Sequence, residues 1–246
     1  MHGKKFEIVM HKRKAIRKFS KIPLQKQQID KLLEFKDKIL PLFPDVKIEL
    51  KIISSSDIFG FVFVDAPHYL AVYAERTPRS DLNTGFIVEQ FDLYFSANGI
   101  GSCWLGMNRP NQTEFKDLPF SIMLAFGSAD EELHRTDEAQ YKRKEIQEIS
   151  SGEHCSDCLN TVRLAPSAMN KQPWYFSGDN RCIHAFSVKG KGVINLAESW
   201  RFVDLGIALC FLYISACSHD KNCIFKKEDA IPAKKGCEYV ISCRLE

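Results

Sequence analysis

From Val46 to Ile52 the chain reads Val-Lys-Ile-Glu-Leu-Lys-Ile, apolar and polar side chains in strict alternation. That period of two predicts a strand with one buried face. His68–Glu75 and Ser121–Ser128 predict two more strands. Between them, "NTGFIVEQFDLYFSANGIG" predicts a long helix stopped by Asn98-Gly99, a helix-ending pair. Later, "QPWYFSG" and "RCIHAFSV" read as strands joined by the turn "GDN", residues 195–217 as a second long helix, and "CEYVISCRL" as a last strand. At the start, residues 4–18 read as a basic amphipathic helix running into a turn, with Phe6, Val9 and Met10 apolar. A further helix after Pro23 carries Ile29, Leu32 and Leu33. Asp130–Glu148 is charged, has no core pattern and is expected to cross the surface; residues 153–163 are expected to form a helix leading into the next loop.

A loop and strand, a long apolar helix and a strand thus occur twice, without a low-complexity linker. The helix around "FVDLGIALCFLYISAC" is apolar on nearly all sides, so it belongs inside a layered fold. It is shorter than the ~20 residues of a membrane span and contains Asp204. The 246 residues allow one large domain or two small ones. A net charge of +3 does not call for a nucleic-acid partner. Nine cysteines at irregular spacing are no disulfide framework, and a reducing compartment is expected. The N-terminus has no apolar run of signal-peptide length.

Four stretches could carry chemistry. "RKAIRKF" puts Arg13, Lys14 and Arg17 within about one helical turn, where Arg13 and Arg17 could converge on an anion; a solvated basic helix or localisation signal is the other reading. "GIGSCWLGMNRP", Gly99 to Pro110, has three glycines that would let backbone approach a flat ligand, or is a helix end and turn. Lys142, Arg143 and Lys144 form a second basic run, solvated or gripping a phosphate. "EHCSDC" offers His154, Cys155 and Cys158, three ligands where structural zinc needs four, so no metal is expected. Without G-x-S-x-G, a P-loop or H-E-x-x-H, hydrolase and nucleotidase chemistry has no support.

Together these segments resemble the FMN-dependent nitroreductases. "RKAIRKFSKIPL" resembles the opening R-R-S-x-R-x-F segment of that family, "RLAPSAMNKQPWYF" its A-P-S-x-x-N-x-Q-P-W-x-F loop, "SANGIGSCWLG" its G-L-G-x-C-W-x-G turn, and "VDLGIALCFLYISA" its core helix. In ordinary members the A-P-S loop follows soon after the basic opening; here it comes after the glycine-rich turn. The resemblance therefore implies an α+β nitroreductase-like fold in which two related halves, about 1–150 and 151–246, are fused in one chain as a pseudo-dimer around a mixed or antiparallel sheet and long central helices. It implies FMN as cofactor and NAD(P)H as reductant. It also implies a small-molecule acceptor such as a nitroaromatic or quinone, a monomer, and a cytoplasmic protein with neither nucleic-acid nor membrane partner. Arg13 and Lys14, helped by Lys142, Arg143 and Lys144, would grip the phosphate. Ala15 stands where the family has serine. Arg17 would lie near flavin N1 and O2, Gly106 and Met107 would offer amides near N5, and Pro166, Ser167, Ala168 and Asn170 would line the ring and ribityl chain. No side-chain nucleophile or base is required, because the cofactor carries the chemistry. The alternatives are another reduction on the same scaffold, such as dehalogenation, and flavin binding without turnover.

Overall fold

The computed structural model describes residues 3–59, 64–152, 156–190 and 199–246. Along the chain these form α1 (Gly3–Met10), α2 (Lys26–Lys36), β1 (Ile48–Ile53), β2 (Ile58–Phe59), β3 (His68–Ala74), α3 (Pro78–Ala97), β4 (Gly101–Leu105), β5 (Arg109–Pro110), β6 (Glu114–Phe115) and β7 (Leu118–Gly127). They continue with α4 (Ile146–Ile149), β8 (Ser150–Gly152), α5 (Ser156–Val162), β9 (Trp174–Gly178), β10 (Cys182–Val188), α6 (Arg201–Ser218), β11 (Cys223–Lys226) and β12 (Cys237–Leu245). Two compact units result. One comprises residues 12–138; the other comprises 139–246 together with 2–11. The division falls earlier than the 150/151 boundary expected from sequence, and α1 belongs with the second unit because it packs on α6.

Each unit builds its own sheet, antiparallel throughout in the first and antiparallel but for one parallel pair in the second. The first has strand order β1-β3-β7-β4, with β6 pairing with β7. The second has order β11-β12-β10-β9, with β8 added in parallel beside β9. Read from the first strand of each, β1-β3-β7-β4 and β9-β10-β12-β11 are the same path. The likeness extends to an irregularity. The β3–β7 register shifts between Val72 and Tyr73, leaving Ser121 as the extra residue, and the β10–β12 register shifts between Ala185 and Phe186, leaving Val240. A bulge is a built feature of a sheet, so its recurrence at the corresponding strand pair identifies a structural repeat.

In each unit the long helix lies between the inner strand and the next strand of its sheet. Pro78 opens α3, the Thr77 side chain accepts from Ser80 N–H, and Asn98 closes the helix. Glu89, Gln90 and Asp92 are buried in α3 among its apolar residues. The apolar stretch of α6 would pass for a membrane span by composition, but 72% of it is buried inside the protein. The first core gathers Ile16, Phe19, Tyr69, Tyr73, Met123 and Ala125.

Two predicted elements are absent. Residues 11–18 are not helical: α1 stops at Met10, and the chain then runs extended, bridged at Arg13–His134 and Phe19–Ala129, with Ile16 N–H donating to Ser102 O at 2.8 Å. Pairing with residues 128–135 and with β4 overrides the helical periodicity. Five residues in the middle of the glycine-rich "turn", Gly101–Leu105, are likewise strand β4, paired with β7. The cysteine reading also changes, since Cys223 and Cys243 form a disulfide between β11 and β12. The spacing of the two residues in sequence says nothing of this, because the pairing is made by strand register. His154 and Cys155 lie outside the described residues.

Candidate functional site

In the first unit the basic segment splits into buried and exposed positions. Arg13 is 2% exposed, and its Nε lies 2.8 Å from Asp92 Oδ2 on α3. Ser102 donates to the other Asp92 oxygen, and Trp104 Nε1 donates to Glu89 Oε2 at 3.1 Å. Burial, then the neighbouring Asp92 charge, pushes the Glu89 carboxyl well above its usual range; Arg13 acts in the opposite sense. Arg13 is thus a core ion-pair partner and is not placed to grip a phosphate. Ala15 is half-buried against the apolar core.

Lys14 and Arg17 remain accessible, and between them sits a carboxylate. Glu131 accepts from the backbone N–H of Arg17 at 2.7 Å and of Lys18 at 3.1 Å, and from Lys14 Nζ at 3.4 Å. These hydrogen bonds, the Arg17 amide first, hold its carboxyl below the usual value. The segment therefore binds an oxyanion already, supplied by the protein itself. Beyond β4, Gly106 and Met107 are exposed, and their amides make no hydrogen bond among the described residues. Gly101 serves packing: a Cβ there would come within 3.0–3.1 Å of the Ile16 side chain.

In the second unit the structure brings two predicted pieces together. Arg143 donates to Asn170 Oδ1 at 2.5 Å and to Leu164 O at 3.1 Å, while Asn170 Nδ2 donates to Lys142 O at 2.5 Å. Lys144 donates through its backbone N–H to Gln172 Oε1 at 2.8 Å and through Nζ to Gln172 O at 3.0 Å. Gln172 N–H donates to Ser167 Oγ at 2.9 Å. Burial lowers the Lys144 pKa. The run 142–144 is therefore the brace of the Pro166–Asn170 loop, and of its three cations Lys142 keeps an exposed side chain. Within that loop Pro166, Ser167 and Ala168 are half-buried and Asn170 is exposed. Met169, Asn170 and Gln172 have φ of 51°, 56° and 49°. Left-handed backbone in non-glycine residues is strained and persists only where surroundings impose it, commonly at binding sites.

A family profile described as "Putative TM nitroreductase" matches residues 7–216. The chain belongs to this nitroreductase family. Its fold is also that of a solved structure from Thermotoga maritima, described as a "putative nitroreductase", with 21% identity, a TM-score of 0.67, and coverage of 98% of this chain and 93% of that one. An FMN-dependent nitroreductase from Clostridium difficile is 16% identical over 55% of this chain and 94% of its own, with a TM-score of 0.45. A nitroreductase with bound FMN from Desulfitobacterium hafniense is 12% identical over 57% and 98%, with a TM-score of 0.44. No curated protein matches the chain. Around the family's loop, sequence reading missed Asp204, whose Oδ1 accepts from Ala168 N–H at 2.9 Å, and the bracing role of Gln172. An acid in the first turn of an otherwise apolar helix was the visible signal for the former. Glu89, Asp92 and Glu131 carried no signal, since their partners are distant in sequence.

Proposed function

We propose that the protein binds FMN and works as a flavin oxidoreductase, taking electrons from NAD(P)H and passing them to a small acceptor such as a quinone or nitroaromatic. The observation that carries this reading is the Pro166–Asn170 loop, held left-handed by Arg143, Lys144 and Asp204 in a member of the nitroreductase family. The donor set suits FMN. A dianionic phosphate asks for cations and amides, and Glu131 stands in for such an oxyanion against Lys14 and the Arg17 and Lys18 amides. Exposed Arg17 would add positive charge at the flavin's pyrimidine edge. The unpaired amides of Gly106 and Met107 would donate to the ring's acceptor atoms. Within the second unit, the half-buried Ser167 and Ala168 would offer contacts to a flavin ring. FMN, when bound, supplies the two-electron chemistry; the chain's residues bind it, orient it and bias its charge.

Each part of the donor set occurs once. The first unit has no P-S-x-x-N loop, and the second has no counterpart of the basic segment. One FMN per chain and an active monomer follow. The test is to add FMN to the purified protein, record the visible spectrum before and after NADH or NADPH, release the flavin for counting, and measure mass by light scattering. Bleaching by a nicotinamide, reoxidation by a quinone and one flavin per monomer are expected. A protein that takes up no flavin would sink the proposal; one that binds it without bleaching would leave only the binding. The stand-in role of Glu131 adds a finer test. Glu131→Gln removes a competing anion and should tighten FMN binding, roughly tenfold if one charge-assisted contact is at stake. Unchanged or weaker binding would place the phosphate elsewhere.

A further inference from the structure

Asp204 lies in the first turn of α6 and is 3% exposed. Its Oδ1 accepts from the Ala168 amide at 2.9 Å, and its buried Oδ2 has no hydrogen-bond partner among the described residues. The repeat supplies a comparison within the same chain. Asn83 of α3 stands two residues before Gly85, as Asp204 stands two before Gly206. Asn83 Oδ1 accepts from Leu42 N–H at 2.8 Å and Phe43 N–H at 3.1 Å, and its Nδ2 donates to Phe43 O at 3.1 Å and Val46 O at 3.4 Å. Both side chains tie down the loop that leads into the first strand of their sheet. In the first unit the tie is neutral and fully used. In the second it is ionisable, half used, and applied to the loop that carries the left-handed residues.

We propose that Asp204 is a positioning residue that, as the protonated acid, holds the Pro166–Asn170 loop in its left-handed form, and that its ionisation loosens the loop. The consequence for FMN rests on the function proposed above; the effect on the loop does not. A buried carboxylate with one amide partner and one bare oxygen is poorly compensated for lost water, whereas a neutral carboxyl tolerates the site. Burial, opposed by the Ala168 amide, raises the Asp204 pKa from an ordinary 3.8 to about 7. Among the described residues, no charged side chain shares in this. Arg201, on the same helix, is engaged with Ser187 and Glu238. On α1, Glu7 faces Ser215 and His219. On β10, His184 is bonded to Ser242, and among the described side chains of α5 the titratable group is the buried thiol of Cys158. Opening the loop would hydrate Asp204 and return its pKa towards the ordinary value. The closed loop therefore binds the proton more tightly, and the open fraction rises with pH up to about 7 and then levels off.

The experiment measures amide hydrogen exchange of residues 164–172 between pH 5 and 8 in wild type, Asp204→Asn and Asp204→Ala, together with FMN affinity by flavin fluorescence. Residues 41–46, tied by Asn83, serve as the internal reference for intrinsic exchange and for folding. In wild type, corrected protection of 164–172 should fall at least tenfold from pH 5 to 7.5 while 41–46 stays level. Asp204→Asn, which keeps an acceptor and cannot ionise, should abolish that step. Asp204→Ala should leave the loop open at every pH and weaken FMN roughly tenfold, about the worth of the one hydrogen bond that orders the loop. Wild-type loop protection in Asp204→Ala, or a pH step that survives in Asp204→Asn, would overturn the proposal. Should the loop respond as expected in a protein that takes up no FMN, the function proposed above fails and the positioning role stands.

Discussion

Arg13 shows what one buried charge can require of its surroundings. It lies between an extended segment and α3, with Asp92 against its guanidinium and Glu89 nearby. Removing the cation would leave at least one buried carboxylate without its counter-ion. Arg13→Ala should therefore cost stability on the order of 3–5 kcal/mol in denaturant unfolding, even in FMN-free protein. Wild-type stability in that variant would return Arg13 to the list of phosphate ligands. Arg17 and Lys14, accessible and bordering the Glu131 carboxylate, should by contrast be nearly silent in the same measurement, because exposed ion pairs contribute little.

At the scale of elements, the second sheet depends on a backbone that only glycine can supply. Gly178 ends β9 with φ of +126°, and a Cβ on it would lie 2.1 Å from Cys182 O, a backbone atom that cannot step aside. Gly178→Ala should break the β9–β10 hairpin, destabilising by about 3 kcal/mol or more or preventing folding. Thermal melting and exchange of the β9 amides would register it. A variant that melts with wild type would mean the hairpin turn can be rebuilt without cost. The lesson extends to the loop before β9. Of its left-handed residues Asn170 takes that conformation readily, whereas Met169 and Gln172 do not, and the loop around them is tied by Arg143, Lys144 and Asp204.

For the whole molecule, buried acids set the pH response of stability. Burial raises Asp81 to about 6 and Asp204 to about 7. Groups raised in this way bind protons more tightly folded than unfolded, so their contribution is complete below pH about 4 and is lost as pH rises through 6 to 7. Half-buried His68 and His134, lowered chiefly by burial, work against this as pH falls. The double variant Asp81→Asn/Asp204→Asn isolates the acids: its stability relative to wild type should grow between pH 5 and 8. A constant difference across that range would mean that neither carboxyl titrates there.

How much of this was legible beforehand differs by kind of information. Periodicity and end signals located the long helices and the main strands, because burying one face or one stripe leaves its period in the chain. The P-S-x-x-N loop was legible as a motif, its proline and polar residues being locally distinctive. Tertiary structure alone decided that "RKAIRKF" runs extended and that Arg13 is a core residue, since Asp92 and Ser102 are remote in sequence. It alone paired residues 142–144 with 164–172, joined Cys223 to Cys243, and assigned α1 to the second unit. The repeat itself was faint in the residues and plain in the strand order and shared bulge, because hydrogen-bond register depends on backbone geometry that many different side chains permit. Sequence encodes what each segment prefers by itself; which buried charge meets which partner exists only once distant segments are packed together.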